Sequence, residues 1–260
     1  MLVDNLGRSL SYLRLSLTDR CNLRCFYCRS SKDFTLIPHE QILRYEEFQE
    51  LIDVAVGMGI SKVRLTGGEP LVRRGVLAFL EKALTRHPDV DFRLTTNGTR
   101  LRDAARALKD MGLGKVNISL DSLRRDVVER VTGSDVLRDV RQGIDACLEA
   151  GLRVKINVVA LRGVNQEDLS GFLELARWMP LDVRFIEFMP YFGAPDDWLG
   201  TYFWSAEDIL AEARRYADLE EINFGRGTTH GPARVFNLKG GRGRLGVISP
   251  LSGHFCATCN

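Results

Sequence analysis

Three cysteines, Cys21, Cys25 and Cys28, stand in the run TDRCNLRCFYCRS with C-x3-C-x2-C spacing. A cubane iron–sulfur cluster usually takes four thiolates, so a three-cysteine loop leaves one iron open to a small molecule. A zinc site is the plainer alternative, but structural zinc wants four closed N or S ligands. No His or Cys follows close behind Cys28, and the nearest candidate is His39. A disulfide would leave one of the three thiols over, and the N-terminus lacks the charged-then-apolar pattern of a signal peptide.

A second group of residues concerns charge. Arg14, Lys62, Arg64, Lys155 and Arg184 fall within strand-like runs. Cations inside or at the mouth of a barrel are costly unless an anion or a paired carboxylate neutralises them, so the expected substrate is a polyanion such as a nucleoside triphosphate. Strand alternation leaves open that some of these side chains point outward over the helices. Near the end of the chain, Cys256 and Cys259 form a C-x2-C pair, readable as labile thiols or half a zinc site. Cys147 lies in a helical apolar pattern and is expected to be a buried, inert thiol.

Elements must exist to carry these groups. Six strand candidates, at 13–19, 62–68, 92–98, 115–122, 153–161 and 183–190, alternate with helical patterns starting at Tyr45, Val76, Arg102, Leu137 and Gln166. Gly59, Gly112 and Gly151 fall where a left-handed helix cap is expected. Alternation of this kind implies right-handed βαβ crossovers and a parallel sheet, either doubly wound or a barrel short of the usual eight units. Ligands of such sheets bind at the strands' C-terminal ends. There the chain places Cys21, the run Gly67-Gly68-Glu69-Pro70, Thr95-Thr96-Asn97-Gly98, Ser119 with Asp121, and Glu187 with Met189, while Lys155 and Asn157 lie on the fifth strand. After Pro190 the rhythm changes to a loop-like aromatic tract, a capped helix from Ser205 and a β-hairpin. The expected division is a barrel over 1–190 and a small α+β extension over 191–260.

Size and composition set outer bounds. The 260 residues suffice for one large domain or two small ones; 45% are apolar and 27% charged, as in ordinary globular proteins. A net charge of +2 gives no general argument for nucleic acid. No apolar run approaches the roughly 20 residues of a membrane span, so the default compartment is the cytoplasm.

The cysteine loop, the aromatic Tyr27 before its last cysteine and the GGEP run at 67–70 together resemble the radical S-adenosylmethionine superfamily. That resemblance implies a partial (β/α)6 barrel of TIM type and a [4Fe–4S] cluster on Cys21, Cys25 and Cys28. Its open iron would be chelated by S-adenosylmethionine, whose amino group Gly67, Gly68 and Glu69 would hold. The stretches YLRLSLTDRCNLRCFYC, VRLTGGEPLVRR, LTTNGTRL, VNISLDSL, VKINVVALRGVN, VRFIEFMP and GVISPLSGHFCATCN are similar, in order, to the GTP 3′,8-cyclase family, which opens molybdenum cofactor biosynthesis. The resemblance implies that Arg14, Arg64, Thr95, Lys155 and Arg184 meet GTP. It implies likewise that Tyr27, Gly68, Ser119 and Met189 meet S-adenosylmethionine, and that Cys256 and Cys259 begin a second [4Fe–4S] cluster. The product would be (8S)-3′,8-cyclo-7,8-dihydroguanosine 5′-triphosphate. An electron donor, a cyclic pyranopterin synthase receiving the product and a homodimer are the partners so implied. The family continues past the Cys256 pair to a third cysteine, so this chain reads as a fragment or as a protein lacking part of that site. A radical peptide-modifying enzyme with an auxiliary cluster, and a non-catalytic metal- or nucleotide-binding fragment, are the alternatives.

Overall fold

The computed structural model describes residues 2–5, 7–28, 35–190, 194–223 and 231–253. A short ribbon, β1 (Leu2–Val3) with β2 (Ser9–Leu10), leads into β3 (Tyr12–Ser16). Helices and strands then alternate: α1 (Tyr45–Gly57), β4 (Lys62–Thr66), α2 (Val76–Arg86), β5 (Asp91–Thr96), α3 (Leu101–Asp110), β6 (Lys115–Ser119), α4 (Arg125–Thr132), α5 (Leu137–Glu149), β7 (Arg153–Ala160), α6 (Leu169–Trp178) and β8 (Leu181–Glu187). The tail adds α7 (Trp198–Tyr202), α8 (Ala206–Ala213), β9 (Leu219–Glu221), β10 (Arg234–Leu238) and β11 (Arg244–Ile248).

Strands β3 to β8 pair in chain order and all in parallel, which makes six units of a partial barrel. β10 and β11 form the expected antiparallel hairpin, and β11 adds in parallel to β8. The tail is therefore joined to the barrel through a main-chain ladder. β9 closes the series as the antiparallel neighbour of β10.

Alternation decides what each strand shows to each side. On β7, Val154, Ile156 and Val158 are buried in the helix-covered core, so Lys155, Asn157 and Val159 face the barrel interior. The helices answer with apolar stripes: α3 buries Leu101, Ala104, Ala105 and Leu108, one face of a 3.6-residue period. Fully burying a leucine of that stripe contributes about 2 kcal/mol. Gly59, Gly112 and Gly151 all take positive φ (102°, 97° and 77°) as helix caps.

Two helices depart from the sequence expectation. α4, of sequence RDVVERVT, was not singled out as a helix, although Val127, Val128 and Val131 recur at helical spacing and form its buried face. α7 lies in the tract read as loop. Trp198 and Tyr202, one turn apart, pack on Phe26 with ring centroids 5.6 and 5.5 Å away, and this tertiary contact holds a helix too short to stand alone.

Candidate functional site

The cysteine loop follows β3 and is held from two sides. The Arg24 and Phe26 amides donate to the carbonyls of Thr132 (2.9 Å) and Val131 (3.0 Å) at the end of α4, while α7 packs on Phe26 from the other direction. Cys21 and Cys25 are half-buried and Cys28 is exposed. The Cys21 sulfur accepts hydrogen bonds from the Leu23 amide at 3.4 Å and the Asn97 side chain at 3.7 Å. Burial, with Asp121 and the two neighbouring thiols adding to it, pushes the Cys25 thiol up to about 12. Thiols that oppose each other's ionisation suit a group bringing its own positive charge, because coordination deprotonates a thiol outright. Among the described residues no three His, Cys, Asp or Glu side chains form a single-ion site. The donor set fits a cluster, in which each thiolate holds a different iron.

The glycine run after β4 is built against this loop. A Cβ on Gly67, whose φ is +149°, would lie 2.5 Å from the Thr18 carbonyl oxygen. Gly68 and Glu69 donate their amides to the carbonyls of Thr18 (2.6 Å) and Arg20 (2.7 Å), just ahead of Cys21. The Glu69 side chain is fully buried and accepts from the Leu71 amide (2.9 Å), the Thr96 hydroxyl (2.8 Å) and the Asn97 amide (2.6 Å). Its carboxylate is thereby committed to bracing the turn, and a ligand would meet the main chain of the glycine pair. Burial raises the Glu69 pKa, with those donors opposing.

Tyr27 turns inward and donates its hydroxyl to Asp121 Oδ2 at 2.6 Å; Asp121 Oδ1 accepts the Val159 amide at 2.8 Å. Burial lifts Asp121 to about 6 against these two donors. Ser119 is exposed at the end of β6, and Met189, 62% exposed, follows β8. Glu187 ends β8 buried, accepting from the amides of Ala206 (2.8 Å), Leu251 and Ser252 (both 3.0 Å) and from the Ser252 hydroxyl. It so anchors the segment that precedes Cys256; Cys256 and Cys259 themselves lie outside the described residues. Cys147 is buried in α5 and pushed up to about 12 by burial, an inert core thiol as expected.

Deeper in the barrel, the register aligns cations on one face: Arg14 beside Arg64, Arg64 beside Arg93, and Arg93 beside Lys115. Lys155 and Arg184 share that face, whose nearby acids are Asp91, paired with Arg93 and Lys115, and Asp182, 2.7 Å from Lys155. Arg64 reaches Thr95 at 3.4 Å. Burial, reinforced by Arg64, draws Arg184 down to about 10, and burial lowers Arg64 itself. Arg64 Nε, Asn117 Nδ2 and Asn157 Oδ1 are buried without a hydrogen-bond partner among the described residues. Cations in excess of acids, and buried polar atoms without partners, are the features an anion would satisfy.

The structure thus brings Cys21, Cys25, Cys28, Tyr27, Gly67 and Gly68 together, and sets Arg64, Thr95, Lys155 and Arg184 below them. Sequence reasoning placed Asn97 and Asp121 at the strands' C-terminal ends but gave neither of them a partner or a role. Their place beside the third and fourth strand ends was the available signal.

A parallel partial barrel with a three-thiol loop at its mouth defines a radical S-adenosylmethionine protein, and residues 15–176 match the model described as the radical SAM superfamily. A [4Fe–4S] cluster and S-adenosylmethionine are the cofactors of that class. Residues 181–260 match the model described as Molybdenum Cofactor Synthesis C. The chain belongs to the GTP 3′,8-cyclase family. It is 46% identical to the GTP 3′,8-cyclase of Moorella thermoacetica, across 99% of this chain and 79% of the relative. With that of Desulforamulus reducens it shares 42% identity, across 100% of this chain and 79% of the relative. Among solved structures, Streptococcus suis SuiB bound to S-adenosylmethionine aligns with TM-score 0.59 and 17% identity, covering 79% of this chain and 46% of that one. Native anSMEcpe with bound AdoMet aligns with TM-score 0.61 and 19% identity, covering 80% and 60%. These two similarities speak for the fold. No helix among the described residues is long and apolar enough to cross a membrane.

Proposed function

We propose that this chain cyclises GTP to 3′,8-cyclo-7,8-dihydroguanosine 5′-triphosphate, opening molybdenum cofactor biosynthesis. The observation that carries this reading is the inner cationic face with its orphaned donors, which suits a nucleoside triphosphate and lies directly below the three-thiol loop. When bound, the cluster and S-adenosylmethionine supply one-electron sulfonium reduction and a hydrogen-abstracting carbon radical.

The chain's own residues bind and orient. Cys21, Cys25 and Cys28 hold the cluster, and Tyr27, Gly67, Gly68, Ser119 and Met189 line the S-adenosylmethionine side. Glu69 acts by holding the glycine turn. Arg14, Arg64, Thr95 and Arg184 receive the triphosphate, and Lys155 joins them by exchanging Asp182 for phosphate. Fixing the ribose C3′ beside the radical source and guanine C8 beside C3′ makes the ring closure intramolecular, worth several kcal/mol of barrier. Cys256 and Cys259 contribute to a second [4Fe–4S] cluster near the base, within a C-terminal part, 191–260, set on the 1–190 barrel. An electron donor, a cyclic pyranopterin synthase, a cytoplasmic setting and a homodimer complete the proposal.

The test is anaerobic reconstitution with iron and sulfide, followed by reaction with GTP, S-adenosylmethionine and dithionite. Stoichiometric 5′-deoxyadenosine and cyclised nucleotide are expected. Cleavage of S-adenosylmethionine that neither needs GTP nor alters it would sink the reading.

A further inference from the structure

We propose that a cleft at the end of the sheet remote from the cysteine loop binds a nucleoside phosphate, its base stacking on Trp178 and its phosphates meeting Arg214, Arg215 and Lys239. This second site is independent of the GTP reading of the barrel.

The place follows from strand direction. Trp178 ends α6 just ahead of β8, Tyr216 comes just ahead of β9, and Lys239 and Gly240 turn the chain from β10 into β11. Strands β3 to β8 and β11 run parallel, so the starts of β8 and β11 lie opposite the strand ends that carry the cysteines and the GGEP run. Arg177, Trp178, Arg214, Tyr216 and Lys239 line one cleft there, of about 510 Å³, within the range of small-ligand sites.

The cleft gathers the exposed aromatic rings. Trp178 and Tyr216 are 67% and 49% exposed, and no other Phe, Trp or Tyr among the described residues stands exposed. Rings of this size are ordinarily covered. Trp178 is also fixed: its indole N–H donates to Glu174 Oε1 at 2.5 Å, and Arg242 donates to its carbonyl at 3.4 Å. A ring held in place beforehand stacks on a base at little entropic cost.

The charge around the rings is positive. The Arg214 side chain makes no hydrogen bond or ion pair among the described residues. Glu221, the acid it acts on, is taken by Arg234 at 2.9 Å. Arg177, Arg215 and Lys239 reach Glu174 (3.8 Å), Glu212 (2.9 Å) and Asp218 (3.8 Å) through largely exposed pairs, which hold weakly and yield to a multiply charged phosphate. The glycine turn beside them is locked in place, the Lys239, Arg242 and Gly243 amides donating to the carbonyls of Asp218 (3.1 Å), Arg177 (3.0 Å) and Ala176 (2.8 Å). The Gly240 amide at the cleft wall has no partner among the described residues. A simple anion would leave the rings bare, and an uncharged ring would leave the cations unmet. A phosphate ester carrying a flat base answers both.

The experiment is equilibrium dialysis of ATP, adenosine and inorganic triphosphate against the reconstituted chain and its Trp178→Ala, Trp178→Phe and paired Arg214→Ala, Arg215→Ala variants. Each is checked for a cooperative thermal transition and for GTP cyclisation. Uptake by the barrel is common to all four proteins, so differences among them report the cleft. Trp178→Ala is expected to weaken one equivalent of ATP uptake about 10-fold and to leave inorganic triphosphate unchanged. Trp178→Phe, which keeps a ring, should hold ATP at nearly the parental affinity. The paired arginine variant should weaken ATP and inorganic triphosphate alike, adenosine should bind the parent more weakly than ATP, and cyclisation should run at the parental rate throughout. ATP uptake identical in the parent and the paired variant overturns the site. Triphosphate bound as tightly as ATP, with neither changed in Trp178→Ala, overturns the nucleotide assignment in favour of an anion alone. Failure of the parent to cyclise GTP removes the GTP reading and leaves this one standing.

Discussion

The hydroxyl of Tyr27, inside the cysteine loop, donates to the buried carboxylate of Asp121, 94 residues away, at 2.6 Å. This one bond ties the cysteine loop to the end of β6, beside Ser119 and the inner cationic face. Phe26 and the α7 aromatics hold the outer side of the same loop. Tyr27→Phe keeps the ring and removes the donor, stranding one oxygen of Asp121. It should lower stability by about 1–3 kcal/mol and slow S-adenosylmethionine cleavage with iron content unchanged. Thermal unfolding and 5′-deoxyadenosine release check both halves, and parental values for both would refute the tie.

Asn97 joins three parts of the site. Its amide holds Glu69, its side chain bonds Asn22, and the same side-chain nitrogen points at the Cys21 sulfur. Hydrogen bonds to ligating sulfur raise a cluster's potential by stabilising the reduced, more negative state. Asn97→Ala should therefore hold the same iron at a more negative midpoint potential. An anaerobic redox titration followed by electron paramagnetic resonance reads the shift; an unmoved midpoint contradicts the prediction.

Gly67 is the position at which the least addition does most. A methyl there meets the Thr18 carbonyl at 2.5 Å and a backbone φ of +149° that suits only glycine. Gly67→Ala should push the entry of the cluster loop aside, costing about 1–3 kcal/mol and much of the iron uptake. Gly112→Ala, which has open space beside it, should cost less and leave iron unaffected. Equal iron loading in Gly67→Ala and the parent would show the close approach to be dispensable.

Nucleotide binding should depend on pH through Lys62. Burial first, then Arg93, lowers this lysine to about 8; Lys115 and Arg64 act in the same direction, and Asp91 opposes. Tyr12 of β3 faces it from the other side, with the ammonium 5.3 Å from its ring. The folded pKa lies below the unfolded value, so the penalty for the charged lysine is fully present below about pH 8. It fades as pH rises toward the unfolded pKa, and stability gains over that window. A polyanion reverses the bias and draws a proton onto Lys62, so GTP affinity should fall as pH rises above about 8. Calorimetry in buffers of different ionisation enthalpy measures the proton taken up. Lys62→Met should abolish the uptake, and a persisting uptake would assign it elsewhere.

Much of this was present in the order of residues. The C-x3-C-x2-C spacing, the GGEP run and six alternations of strand with helix named the chemistry and the barrel, because cluster ligation and βαβ packing are both local in sequence. The helix caps at Gly59, Gly112 and Gly151 were equally legible, since a left-handed cap is a property of one residue. α7 was not visible, because it owes its form to stacking on Phe26, whereas α4 was passed over although its three valines recur at helical spacing. Nor did the chain's order reveal that Glu69 is spent on Thr96 and Asn97, or that Tyr27 reaches Asp121.

The sequence by itself determined which side chains carry the chemistry and at what spacing. The tertiary structure alone decided which of them face one another, because strand register, with one step turning every side chain to the opposite face, aligns residues dozens of positions apart. That register put Ser119, Asn157 and Arg184 in one row.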